Sequence, residues 1–240
     1  ADGSFVSDFD PSAWSREYTE GNAWHWSFCV FHDPQGLINL MGGNQSFVSM
    51  LDTVFVIPSY EGMKSRGMIH EMREMQVMNM GQYAHGNQPI QHMPYLYNYA
   101  AEPWKAQYWV RKIMDKLYLP TPDGYCGDED NGQTSAWYVF SSLGFYPVSP
   151  ASGEYVIGSP QFDKVTLNLE NGKKVNIQAK QQGANQVYVD QLTWNGKPYS
   201  HNYIRYKDLL QGAKLDFKMS EAPNKNRGTK KEDAPYSFSN

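Results

Sequence analysis

The spacing of apolar positions changes character near residue 150. Before it, apolar residues recur at helical intervals between Gly and Pro breaks; after it they alternate, as in strands with one buried face. The aromatic-dense run 22–31 (NAWHWSFCVF) predicts a buried helix that stops at His32-Asp33-Pro34. Asp33 as N-cap and Pro34 in the first turn open a second helix through Leu40, closed by Gly42-Gly43. Asn44 caps a third over 45–56, stopped before Pro58. Residues 59–86 hold four Gly and six Met and predict no element. Pro89 begins a helix to Tyr99, and Glu102-Pro103 begins another through Leu119, stopped by Pro120 and Pro122. Asp130 or Asn131 caps a last helix, 132–143, ended by Gly144. Several of these helices are apolar on more than one face, which places them inside a multi-helix array, a bundle or a piece of an α/α barrel.

From Tyr155 the period is two. Segments 155–157, 164–169, 174–179, 187–194 and 215–219 read as strands. Asn171-Gly172 and Asn195-Gly196 are two-residue hairpin turns, because both residue types tolerate positive φ. The tail, 221–240, is polar and without period, hence extended or disordered. The expected fold class is α+β: residues 1–150 form a partial α/α barrel, and residues 151–240 a small antiparallel β domain with an extended tail.

Composition narrows the function. A net charge of −4 argues against a general nucleic-acid binder. No stretch approaches the ~18 consecutive apolar residues of a membrane span. Charged residues are 19%, aromatic residues 15%. That balance suits either a deep core or a protein that stacks flat rings on an uncharged polar ligand. Cys29 and Cys126 set no disulfide framework, though they remain free to pair. The chain opens with Ala, so the expectation is a piece of a longer polypeptide or a processed one.

Three loops concentrate polar residues beside helix starts: 18–24, 85–92 and 127–133. In an α/α array such loops return to one end and line a shared pocket. Asp128 and Asp130, two apart, face one way in an extended loop, with Glu129 opposite. Asp130 lies by a helix N-terminus, which favours the ionised form that a general base or cation ligand requires; a solvated acidic turn with Asp130 as N-cap accounts for the same spacing. Glu20 precedes an aromatic helix, and apolar surroundings would keep it protonated, as a general acid must be. A Glu in a first helical turn is the alternative. His85 and His92 flank Asn87 and Gln88 at a spacing that fits no zinc pattern, whereas amide oxygens with carboxylates suit calcium. Capping by Asn87 is again the plainer reading. The Met run (Met63, Met68, Met72, Met75, Met78, Met80) reads as packing.

Together these blocks resemble family 92 of the glycoside hydrolases. The segment GDEDNGQTSAWYVFSSLGFYPVSP (127–150), followed by YVIGSPQFDKVTLNL (155–169), is similar to that family's C-terminal signature. YTEGNAWHWSFCVFHDPQGLINLMGG (18–43), HGNQPIQHMPYLYNYAAEPWKAQ (85–107) and RGTKKEDAPYSFS (227–239) resemble further blocks in the same order. The resemblance implies a calcium-dependent, inverting exo-α-mannosidase with an α/α barrel behind an N-terminal β-sandwich. It implies Glu20 as general acid, Asp130 as general base with Asp128 as close partner or alternative, and calcium at Asn87, Gln88 and Asp130. Trp24, His85 and His92 are expected at the substrate, with Trp26 and Tyr95 or Tyr97 as further stacking faces, although each of these aromatics taken singly reads as core before subsite. His85-Gly86 stands where members cleaving α-1,2 links carry His-Glu. The implied partners are a mannose-containing glycan and the missing N-terminal part of the same enzyme, and the implied location is secreted or periplasmic. An inverting glycosidase needs one protonated and one ionised carboxyl roughly 6.5–9.5 Å apart. A carbohydrate-binding protein without turnover and a purely structural helical array remain the other readings of these residues.

Overall fold

The computed structural model describes residues 3–59, 69–180, 183 and 185–240. Met63 and Met68 lie outside the described residues. The helical part consists of α1 (Ala23–Trp26), α2 (Pro34–Leu40), α3 (Asn44–Val54), α4 (His70–Met78), α5 (Pro103–Leu117) and α6 (Gln133–Leu143). Helix α2 starts as its sequence dictates: Pro34 sits in the first turn and the Asp33 carboxylate accepts from the Gly36 N–H at 3.0 Å. Helix α5 buries Ala106, Val110, Ile113, Met114 and Leu117, one stripe at helical spacing. On the same helix the Gln107 side chain accepts from the Val189 N–H (2.9 Å) and Arg111 donates to the Pro160 carbonyl (2.9 Å), which ties α5 to the β part.

Several expected helices are shorter or different. The run 22–31 gives a single α turn; beyond Trp26 the bonds contract to three-residue spacing, as in Cys29 N–H to Trp26 O at 3.2 Å. The helix expected over 89–99 is two 3₁₀ turns, Gln88–Ile90 and Met93–Asn98. Pro94 lacks the N–H an α ladder would need there, and Tyr95 N–H bonds back to His92 O at 3.0 Å. Asn44 is the first residue of α3 rather than its cap, a place held by Gly43. Helix α4 lies where no element was expected. Its Met72, Met75 and Met78 are buried on one face, so these methionines are core.

A three-stranded antiparallel sheet runs in the order β1 (Phe145–Tyr146), β2 (Glu154–Ile157), β7 (Tyr203–Arg205). A five-stranded sheet has the order β3 (Lys164–Asn168), β4 (Lys174–Gln178), β8 (Ala213–Ser220), β5 (Tyr188–Trp194), β6 (Lys197–Pro198). It is mixed rather than antiparallel: β4 and β8 run parallel, Val175 opposite Ala213, because the chain crosses over through β5–β7 and the short α7 (Tyr206–Leu209) before returning. Asn195 and Gly196 both take positive φ, as expected of a two-residue turn. At 170–172 only Gly172 does, and a three-residue loop joins Leu169 to Lys173.

One apolar core lies among the helices around Trp14, Phe28, Phe47, Tyr95 and Trp137; a second lies under the sheets around Phe145, Ile177, Leu215 and Phe217. Phe140 of α6 packs on both. The polar tail is ordered. Asp233 is buried and accepts from the Ser200 hydroxyl (2.6 Å), while Ser237 and Ser239 bond the Asp33 carboxylate (2.7 and 2.6 Å). Hydrogen bonds rather than apolar burial hold it, which is why its sequence shows no period.

Candidate active site

Glu20 lies in the loop before α1. Its backbone is left-handed (φ 46°), which is uncommon for a non-glycine residue. Asn22, fully buried, caps α1 by accepting from His25 N–H (3.2 Å) and donates to the Gln82 side chain (2.9 Å). His25 Nε2 bonds the Gln82 carbonyl at 2.7 Å. The first loop is thus pinned to the stretch leading into the second loop.

The second loop then holds both of its neighbours. Asn87 Nδ2 donates to the Glu20 carbonyl (2.6 Å), and the adjacent Gln88 Nε2 donates to the Asp128 carbonyl (3.2 Å). Two consecutive side chains therefore tether the backbones that carry Glu20 and Asp128. Behind them, Gln91 bonds Thr134, Thr134 bonds the Asp128 carbonyl, and the Trp137 indole donates to Gln91 O, at 3.1, 3.1 and 2.8 Å. Glycines let the loops cross: a Cβ at Gly127 would lie 2.6 Å from the Gly86 Cα.

In the third loop Glu129 does the capping. Its carboxylate accepts from Gly132 N–H (2.8 Å) and Ser135 N–H (3.2 Å), and hydrogen bonds from Ser135 and Gly132 hold its carboxyl below the ordinary range. Asp130, the expected cap, has left-handed backbone (φ 51°), as does Asn131 (φ 58°). Asp130 is exposed, and among the described residues the side-chain bonds to the start of α6 come from Glu129. Left-handed non-glycine residues concentrate at functional loops, and here Glu20 and Asp130 both adopt that conformation. Glu20, Asp128 and Asp130 are all exposed, so the apolar surroundings expected for Glu20 are absent among the described residues.

Other expected contacts are interior. His85 is fully buried between the Tyr83 hydroxyl (2.6 Å) and the Tyr118 hydroxyl (2.7 Å), both ring nitrogens engaged, and burial pushes its pKa down to about 3. His92 is buried with Nε2 on the Phe28 carbonyl (2.8 Å). Tyr95 and Tyr97 are core residues, and Trp24 packs on the helical core with its indole donating to Ser12 (3.1 Å). These rings position the loops, whereas Trp26 is 40% exposed, its Nε1 on the Thr19 carbonyl. Cys29 and Cys126 are free thiols, not a pair. Gln82, Gln91, Thr134 and Trp137 hold the loops; the last three lie inside the blocks quoted above, whereas Gln82 carries no sequence signal beyond its type.

Burial also lowers His25 and His92 to about 4 from the ordinary 6.5. Between those values the unfolded chain binds protons that the folded one does not, so stability falls as pH drops from about 6.5 toward 4. We expect the melting temperature to decline over that window, and more steeply than in a His25→Gln, His92→Gln variant. A flat profile would mean that the rings are charged in the fold.

Asn87 and Gln88 spend their N–H₂ groups on carbonyls, which fixes the amide orientation and leaves both side-chain oxygens without hydrogen bonds among the described residues. Gln88 bonds the loop that carries Asp128 and Asp130, and amide oxygens with carboxylates make a donor set of hard oxygen, the chemistry calcium takes. Among the described residues no group of three or more His, Cys, Asp or Glu is gathered as a metal cage.

The model of the glycosyl hydrolase family 92 catalytic domain matches residues 1–221. Among solved structures, the chain is 50% identical to the family GH92 inverting mannosidase of Bacteroides thetaiotaomicron VPI-5482, with a TM-score of 0.86 over 99% of this chain and 32% of that one. It is 39% identical to a family GH92 alpha-mannosidase of Bacteroides thetaiotaomicron, with a TM-score of 0.85 over 98% of this chain and 30% of that one. That second enzyme is also known in complex with mannoimidazole. A curated relative, an uncharacterized secreted glycosidase of Arthroderma benhamiae, is 27% identical over 93% of this chain and 26% of its own length. The chain thus spans between a quarter and a third of these proteins. No helix among the described residues is long and apolar enough to cross a membrane.

Proposed function

The chain belongs to glycosyl hydrolase family 92, and from that premise we propose that it supplies the acid and base carboxylates of an inverting, calcium-assisted exo-α-mannosidase acting on glycans outside the cytoplasm. Residues 1–150 would be the closing part of an α/α barrel, residues 151–240 its β appendage, and the remainder of the longer enzyme its first partner. The observation that carries the reading is the Asn87–Gln88 tether, which holds the Glu20 and Asp128 loops on either side of one dipeptide.

In this mechanism Glu20 protonates the glycosidic oxygen as the bond to the leaving sugar breaks. Asp130, with Asp128 beside it, takes a proton from the water that attacks the opposite face, and the anomeric centre inverts. Because Glu129 satisfies the α6 N-terminus, Asp130 keeps its carboxylate for that proton. His85, His25 and Trp137 act from behind, fixing loop positions; His85 is proposed for positioning rather than for sugar contact, and Trp26 offers the exposed stacking face. Asn87, Gln88 and Asp130 would hold the calcium ion, which when bound supplies positive charge near the sugar hydroxyls.

The experiment is hydrolysis of an aryl α-mannoside by the full-length enzyme. NMR should show the β anomer first; initial release of α-mannose would refute the mechanism. Exhaustive chelation should abolish turnover, and calcium should restore it better than magnesium, since calcium accepts 6–8 oxygens in loose geometry. Full activity after chelation would remove the metal from the scheme.

A further inference from the structure

Two cavities, of 530 and 360 Å³, share Phe140, Pro147 and Pro150 and so form one groove on the described surface. Each falls in the ~300–1,000 Å³ range of ligand clefts. The groove starts at Gln88 and Gln133, the first a tether of the candidate site and the second the opening residue of α6. It ends at Glu154, Tyr155 and Tyr206. Rings line its length: Phe31 (38% exposed) near the site, Phe140 stacked on Tyr155 in the middle (5.6 Å, 25°), and Tyr206 (49% exposed) at the far end. Among the lining residues Glu154 is the one carboxylate, already accepting from the Tyr236 N–H (2.8 Å) with Arg205 4.0 Å away, and burial holds the His92 ring neutral.

We propose that this groove seats the non-scissile arm of an oligosaccharide substrate, so that Tyr206 and Glu154 contact sugars remote from the bond being cut. The inference rests on the mannosidase reading and extends it to the length of the ligand. Three observations support a neutral glycan as occupant. The groove is continuous with the site through Gln88. Its lining combines aromatic rings and prolines along its length with the Gln88 and Gln133 amides in one cavity and the Glu154 carboxylate in the other, apolar faces for the C–H faces of pyranoses and polar ends for their hydroxyls. Its near absence of charge matches an uncharged polar ligand and offers a polyanion nothing to bind. A protein segment packed there would instead have to cover Gln88, Gln133 and Glu154 with matching polar groups.

The test compares Tyr206→Ala and Tyr206→Phe in the full-length enzyme, with an aryl α-mannoside and a mannan-derived oligosaccharide as substrates. Tyr206→Ala should raise KM for the oligosaccharide roughly tenfold with kcat unchanged, the effect of losing one ring face that binds ground and transition state alike. The aryl mannoside should be unaffected, and Tyr206→Phe should behave as wild type on both. Equal loss on the two substrates, or loss together with a lowered melting temperature, would make the groove an internal packing surface and overturn the proposal, as would unchanged kinetics on both. If the wild type cleaves neither substrate, the mannosidase reading fails on its own. The groove is then judged by calorimetric titration with the oligosaccharide: binding that Tyr206→Ala weakens upholds it, and no binding to the wild type overturns it.

Discussion

Asp130→Asn is expected to leave the full-length enzyme folded and almost without turnover on every mannoside, activated or not. The substitution adds no backbone strain, because Asn tolerates the left-handed conformation at least as well as Asp. The backbone bond from Gln133 N–H to Asp130 O (3.2 Å) survives, and the cap on α6 belongs to Glu129. Asn keeps one side-chain oxygen for the cation, but the proton acceptor for attacking water is lost, a step every substrate shares. Removal of a general base typically costs about 10²–10⁴-fold. Kinetics on an aryl mannoside and a disaccharide, with circular dichroism as the fold control, measure this. Retention of more than about a tenth of wild-type kcat on either substrate would move the base to Asp128, whose own Asn variant should then be the dead one.

Glu20→Gln should separate substrates by leaving group. The Asn87 tether bonds the residue 20 backbone carbonyl, not its side chain, so the loop stays in place. Gln bears the φ of 46° no worse than Glu does. A sugar leaving group needs its oxygen protonated as the bond breaks, and its turnover should fall by about 10²–10⁴-fold. An aryl leaving group stable as its anion needs little help and should lose far less. Equal losses on the two would assign Glu20 to holding the loop or the sugar instead of donating a proton.

Much of the local architecture was legible along the chain. The Asp33–Pro34 start of α2, the long α5 and α6, the Asn195-Gly196 turn and most strands sit within a residue or two of expectation. Each of these is written in neighbours three or four residues apart, where backbone preference and side-chain caps act directly. The 89–99 stretch had a local cause in Pro94, but a buried aromatic stretch reads as a helix whether it coils by four residues or by three.

By itself, then, the sequence determined the mixed α and β character and the three polar loops, because residue type and short spacing suffice for those; Glu20, Asp128 and Asp130 stood out from their neighbours only through the family resemblance of the blocks that carry them. Only tertiary structure decided which polar side chains face solvent. His85, His92, Tyr95 and Tyr97 are buried in this chain, which no local pattern announces, since burial depends on what packs from elsewhere. It likewise decided that Glu129 rather than Asp130 caps α6, that β4 and β8 run parallel, and that the tail folds back onto Asp33. The loop tethers join Asn87 to Glu20 across 67 positions and Gln88 to Asp128 across 40. A hydrogen bond over that distance leaves no periodic trace, because nothing local constrains either partner until the chain has closed.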